Sequence, residues 1–163
     1  MSRTLYLLRH AKAGLPEAGL RDRDRKLTGR GRREAAALGA RYAGGGDGGE
    51  LPDLVITSTA ARAVQTAALW AQAAGLPEQR IVRRDGIYLA EAEAVLTMVR
   101  GLDEALQRVM VVGHNPTFSD LATGLSRKFV ALQTCAMAVL SIDGEWAGAS
   151  AATACLLRID RGR

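Results

Sequence analysis

Thr4-Leu5-Tyr6-Leu7-Leu8-Arg9-His10 is the stretch that decides how this chain is read. Residues 4–8 form a short apolar run with the character of a first strand. A strand that ends in an adjacent guanidinium and imidazole carries both to a sheet edge, where open α/β folds bind their ligands. The only other histidine, His114, follows a second run of the same kind, Val109-Met110-Val111-Val112-Gly113. Two histidines in 163 residues, each just past a strand-like run, point to a site rather than to ordinary packing.

Strand and helix signals alternate outward from this start. Thr28 is placed to cap a helix that carries Ala35, Leu38 and Tyr42 on one face. Residues 53–57 read as a second strand, and Ser58 or Thr59 is expected to cap a long helix running to about Ala74, with Gly75 and Pro77 as its stop. A short third strand spans 80–83, and a helix spans 91–100 before the strand that leads to His114. Asn115 as cap and Pro116 at the first helical position then open another helix. Residues 136–142 and 154–159 read as two paired strands joined through Asp143-Gly144-Glu145-Trp146. This order predicts a three-layer α/β fold: a mostly parallel central sheet flanked by helices, closed by a C-terminal antiparallel hairpin.

Composition sets the outer bounds. One domain over residues 1–163 is expected, long enough to bury a core built of Leu, Val, Ile and Ala, since aromatic residues make up only 4%. The glycines at 44–46 and 48–49 follow a helix and lack a Lys-Ser/Thr ending, so they read as a surface connection rather than a phosphate loop. Cys135 and Cys155 show no metal-ligand spacing and are expected to be buried free thiols, with a cross-strand contact conceivable. The N-terminal apolar run is too short for a secretory signal, and no stretch approaches the ~20 apolar residues of a membrane span, so a cytoplasmic protein without a membrane partner is expected. A net charge of +5 suits an anionic ligand. Three Tyr, two Trp and two Phe, scattered through the chain, offer no stacking pattern for nucleic acid. The basic stretch Arg21, Arg23, Arg25, Lys26, Arg30, Arg32 and Arg33 reads as a solvated face interleaved with acids, ahead of the alternative that it steers an acidic partner.

In a parallel sheet all strand C-terminal ends lie on one side. Arg9 and His10, Arg62 in the first turn after the second strand, Tyr88 and Glu91 after the third, and His114 after the fourth should therefore share one crevice. Two arginines, two histidines and helix N-termini make an anion site, since guanidinium forks match phosphate oxygens. A neutral imidazole there can attack phosphorus, provided its other nitrogen donates to a backbone carbonyl or similar acceptor. The cations would stabilise charge on the transferring group, so no metal or other cofactor is expected.

Four segments carry a resemblance. Leu7-Leu8-Arg9-His10-Ala11-Lys12-Ala13, Lys26-Leu27-Thr28-Gly29-Arg30-Gly31, residues 58–67 and Val112-Gly113-His114-Asn115-Pro116 resemble, in order and spacing, the histidine phosphatase superfamily. Within it the chain is similar to the short phosphohistidine phosphatases of the SixA type, which implies a phosphoglycerate mutase-like fold. The resemblance implies that His10 is the phosphorylated nucleophile, that Arg9 and Arg62 clamp phosphate, and that His114 completes the pocket. Ala11 stands where the widespread form has Gly, a change the SixA-like group tolerates. The catalytic Glu motif of larger members has no clear counterpart; Glu91 is the candidate proton donor, with Glu93 in the same region and Asp22 and Asp24 as competitors.

A compact chain with little room for a lid favours a phosphorylated protein as substrate, for example phosphohistidine on a histidine phosphotransfer domain. A small-molecule phosphate monoester is the alternative. A non-catalytic phosphate-binding module is the rival from another class, and it has no need of the nucleophile.

Overall fold

The opening run forms β1 (Ser2–Arg9), and the sheet extends from it on both sides. The computed structural model describes residues 1–162. On one side lie β4 (Arg108–Gly113), β2 (Leu54–Thr57) and β3 (Ile81–Arg83), each parallel to its neighbour. On the other, β5 (Ala136–Asp143) runs antiparallel to β1, and β6 (Ala154–Arg161) antiparallel to β5. The order is β3-β2-β4-β1-β5-β6, the expected mixed α/β sheet with its terminal hairpin.

Both faces of the sheet are covered, which explains why the strands read as near-continuous apolar runs rather than alternating ones. Tyr6 and Leu8 of β1, with Met110 and Val112 of β4, face α1 (Gly29–Ala40) and α2 (Ala61–Ala74). Leu5 and Leu7, with Val109 and Val111, face α3 (Ala92–Arg100) and α4 (Thr117–Ser126), where Phe118 and Trp146 are fully buried. The three-layer arrangement follows from that division of the core.

Local signals account for most element ends. Thr28 caps α1 as expected, its Oγ1 accepting from Gly31 N at 3.0 Å. Gly31 is required by close approach: a Cβ there would lie 2.2 Å from the carbonyl oxygen of Lys12, two residues past His10. Tyr42 lies just past the end of α1 yet stays buried beside Trp70. Gly75, with φ +81°, ends α2 in the left-handed region.

Two caps differ from expectation. The cap position of α2 is Ala60, without a side-chain hydrogen bond, because Ser58 and Thr59 are engaged elsewhere: Ser58 with His114, Thr59 with Asp85. Helix α4 starts at Thr117, one residue later than expected, with Pro116 in the cap position; Asn115 Oδ1 still accepts from the Ser119 amide of the first turn, and from the Ser119 hydroxyl, while its Nδ2 donates to Leu132 O. Cys155 also departs from the reading as a buried thiol, since it lies exposed on edge strand β6. Cys135 is buried and precedes the opposite end of the hairpin, so the two thiols make no contact and both are free. Among the described residues no helix is long and apolar enough to cross a membrane.

Candidate active site

The C-terminal ends of β1, β2 and β4 bring together the residues that the sequence singled out. His10 leaves β1 with its amide donating to Gly113 O at 3.0 Å, which ties the exit of β1 to the exit of β4. One crevice of about 310 Å³ is lined by Arg9, His10, Arg62 and His114 together with Lys12, Arg25, Asn115 and Thr134. The His10 and His114 rings lie 5.2 Å apart between centroids.

Hydrogen bonding determines which atom of His10 faces the crevice as a base. Its Nδ1 donates to Ala11 O at 2.7 Å, a carbonyl being only an acceptor, so the lone pair resides on Nε2. Burial drives the His10 pKa down to about 3 against the opposing Ala11 hydrogen bond, with His114, Arg62 and Arg9 adding positive potential. Ala11 is held in turn, its amide donating to Thr66 Oγ1 at 3.0 Å, and that hydroxyl donates to Arg62 O at 2.7 Å. His114 shares a 2.7 Å hydrogen bond between Nε2 and Ser58 Oγ. Burial first, then the Arg62 charge, lowers its pKa to about 4. Two neutral imidazoles thus stand among arginines.

The arginines are anchored at one end. Arg9 Nη1 donates to Leu132 O at 3.1 Å, and burial lowers its pKa. Arg62, largely buried at the start of α2, donates from Nη1 to Asp22 O at 2.8 Å and from Nη2 to Asp22 Oδ2 at 3.0 Å. Arg9 Nε, Arg62 Nε and His114 Nδ1 are buried without a hydrogen-bond partner in the protein. Such unpaired donors and acceptors are costly, and their concentration here marks a place shaped for a polar ligand.

Glu91 falls outside this crevice. It is the exposed cap residue of α3 and lines an adjoining cleft of about 320 Å³ that shares Arg62, His114 and Asn115 with the first. Tyr88 stands at the junction, edge-on to His114 at 5.7 Å. Glu93 lies in the first turn of α3 and lines neither space. Asp22 reaches Arg62, whereas Asp24 is turned to Arg21 at 2.8 Å and lines neither cleft. The Tyr88 hydroxyl, Arg62 and Arg25 hold the Asp22 pKa down to about 2, so it is an anion without a proton to give. Sequence reading missed Ser58, Thr66 and Thr134. Ser58, expected as a helix cap, and Thr66 both lie in the 58–67 segment that carries the resemblance, but nothing there singled them out as site residues, and Thr134 comes from a loop with no pattern. Among the described residues no group of three or more His, Cys, Asp or Glu side chains is placed to hold a metal ion.

Residues 5–87, which include Arg9, His10 and Arg62, match the model of the histidine phosphatase superfamily, branch 1. The chain belongs to the histidine phosphatase superfamily. An uncharacterized protein of Mycobacterium tuberculosis, Rv1276c, is 35% identical over 166 residues, covering 92% of this chain and 96% of that protein. Among solved structures, a candidate phosphohistidine phosphatase SixA from Nakamurella multipartitia superposes with a TM-score of 0.82 at 32% identity, over 98% of this chain and 96% of the other. A second candidate SixA, from Agrobacterium tumefaciens, gives 0.77 at 32% identity, over 97% of each chain. This histidine phosphatase is therefore a SixA-like phosphatase with the phosphoglycerate mutase-like fold that the sequence predicted.

Proposed function

We propose that the enzyme removes phosphate from phosphohistidine on a protein, through a covalent intermediate on His10 and without a metal. The observation that carries this reading is the Nδ1–H bond of His10 to Ala11 O in a buried ring, which leaves Nε2 neutral and nucleophilic. In the first step Nε2 bonds to phosphorus as the bond from phosphorus to the substrate ring breaks; that ring, protonated on its other nitrogen, leaves as neutral imidazole and needs no proton at the departing atom. Arg9, Arg62 and His114 would surround the phosphoryl oxygens and stabilise their charge in transit. In the second step water bonds to phosphorus, the P–Nε2 bond breaks, and inorganic phosphate leaves with the water's proton shared out to solvent.

Phosphohistidine as substrate agrees with the position of Glu91, outside the crevice of His10, because an imidazole is a good leaving group and needs little help from an acid. The names borne by the two SixA-like relatives support the same substrate class. The adjoining cleft, walled by Tyr88, Leu89 and Pro116, has room for a small organic group and favours a phosphate monoester as the second reading.

Brief incubation with ³²P-labelled phosphohistidine protein should leave an acid-labile, base-stable label on the enzyme. His10→Ala should abolish that label and lower turnover by about 10³-fold or more. An acid-stable adduct, or full activity in His10→Ala, would refute the mechanism. Activity should survive EDTA, and a faster rate on small esters than on the protein substrate would select the second reading.

A further inference from the structure

Arg62, buried at the start of α2, already has an anion. One residue, Asp22, takes both terminal nitrogens of its guanidinium, through its carbonyl at 2.8 Å and its carboxylate Oδ2 at 3.0 Å. The same Oδ2 accepts from the Tyr88 hydroxyl at 2.8 Å, and Oδ1 accepts from Arg25 Nε at 3.0 Å. Arg25 also lines the crevice, so a single carboxylate ties down two of its cations. The turn that carries it, Asp22–Asp24, is strapped in place by the next residue. Arg23 Nη2 donates to Thr59 Oγ1 and Asp85 Oδ1, both at 2.6 Å, and its guanidinium carbon lies 5.0 Å from the Tyr88 ring centroid. These contacts join the segment after β1 to the segments after β2 and β3, across the mouth of the site.

A guanidinium fork pairs with carboxylate and phosphate oxygens in the same planar geometry, so the two compete for it. We propose that Asp22 is a built-in competitor for the phosphate site: its carboxylate holds Arg62 Nη2 in the free enzyme while Nε is left unpaired, and a phosphoryl group that takes the Nε and Nη2 edge of the guanidinium as a fork must displace it. The inference rests on the crevice being the phosphoryl site. Asp22 is a positioning residue that acts through Arg62. For a ligand that brings a single carboxylate the exchange is even, one carboxylate for another, whereas a dianionic phosphoryl group gains from it. After hydrolysis the returning carboxylate helps expel inorganic phosphate. The site thereby trades ground-state affinity for discrimination and for release.

The test is equilibrium binding of inorganic phosphate, measured by titration calorimetry on the intact protein and three variants. Asp22→Asn keeps the shape and removes the charge, and binding should tighten about twofold to fivefold, the scale of a half-exposed ion pair. Tyr88→Phe removes a donor to Oδ2 but leaves the charge, so it should tighten binding less. Asp24→Asn removes an equal charge two residues away, on a carboxylate paired with Arg21, and should change nothing. A purely structural role for Asp22 would weaken binding on its replacement. Weaker or unchanged binding in Asp22→Asn, or equal tightening in Asp24→Asn, overturns the proposal while leaving the phosphatase reading intact. Failure of both the unmodified protein and Asp22→Asn to bind phosphate would bring down both readings.

Discussion

The carbonyl of Ala11 is the acceptor that the proton on His10 Nδ1 faces, at 2.7 Å, and much of the chemistry follows from that contact. It selects the tautomer, and burial removes the competing cationic form. The ring proton signals of His10 should therefore stay flat in an NMR titration between about pH 5 and 8, the window in which an ordinary histidine changes charge. A midpoint near 6.5 would contradict the burial argument. At this scale Arg9, His10, Arg62 and His114 were legible because strand ends and helix starts place them by topology alone. The partners of His114 and Arg62 were not. Ser58 meets His114 across 56 positions and Asp22 meets Arg62 across 40, and nothing local in a sequence announces such a pairing.

Among the elements, β4 and α4 show how tightly the site is framed by packing. A Cβ on Gly113 would come within 2.4 Å of the Phe118 ring and 3.1 Å of Ile87 Cγ2. Gly113→Ala should therefore push α4 away from the strand that delivers His114. The expected outcome is a loss of about 1–3 kcal/mol in urea unfolding, typical of an overpacked core, together with a fall in turnover. Unchanged stability would mean that Phe118 has room to swing aside. Element types and order were readable from alternating apolar runs and turn residues, and Thr28 and Gly75 behaved as their chemistry requires. The cap of α2 misled because Ser58 and Thr59, good capping residues by type, serve longer-range bonds that a local rule does not weigh, whereas Asn115 still takes the Ser119 amide of the first turn of α4 from one position before the cap.

For the molecule as a whole, two buried neutral imidazoles tie stability to pH. In the unfolded chain each binds a proton near 6.5, while in the folded protein the values fall to about 3 for His10 and about 4 for His114. Below pH 6.5 the unfolded state takes up more protons, so stability held above that pH is lost as pH falls towards 4 and then 3. Urea midpoints measured across this range should decline on the acid side. His10→Gln should flatten part of the decline, and an equal slope in that variant would show that other groups govern it.

The position of β1 has one more consequence. It pairs with β4 on one side and β5 on the other, while the exposed edges of the sheet, β3 and β6, stand apart from it. Local opening begins at frayed edges and works inward, reaching doubly paired central strands last. His10 is thus mounted at the end of a strand paired on both sides. The chain around exposed Leu89, which walls the adjoining cleft, follows edge strand β3 instead. The order of the strands thus separates a firmly paired mount for His10 from a cleft wall hung on the sheet's edge.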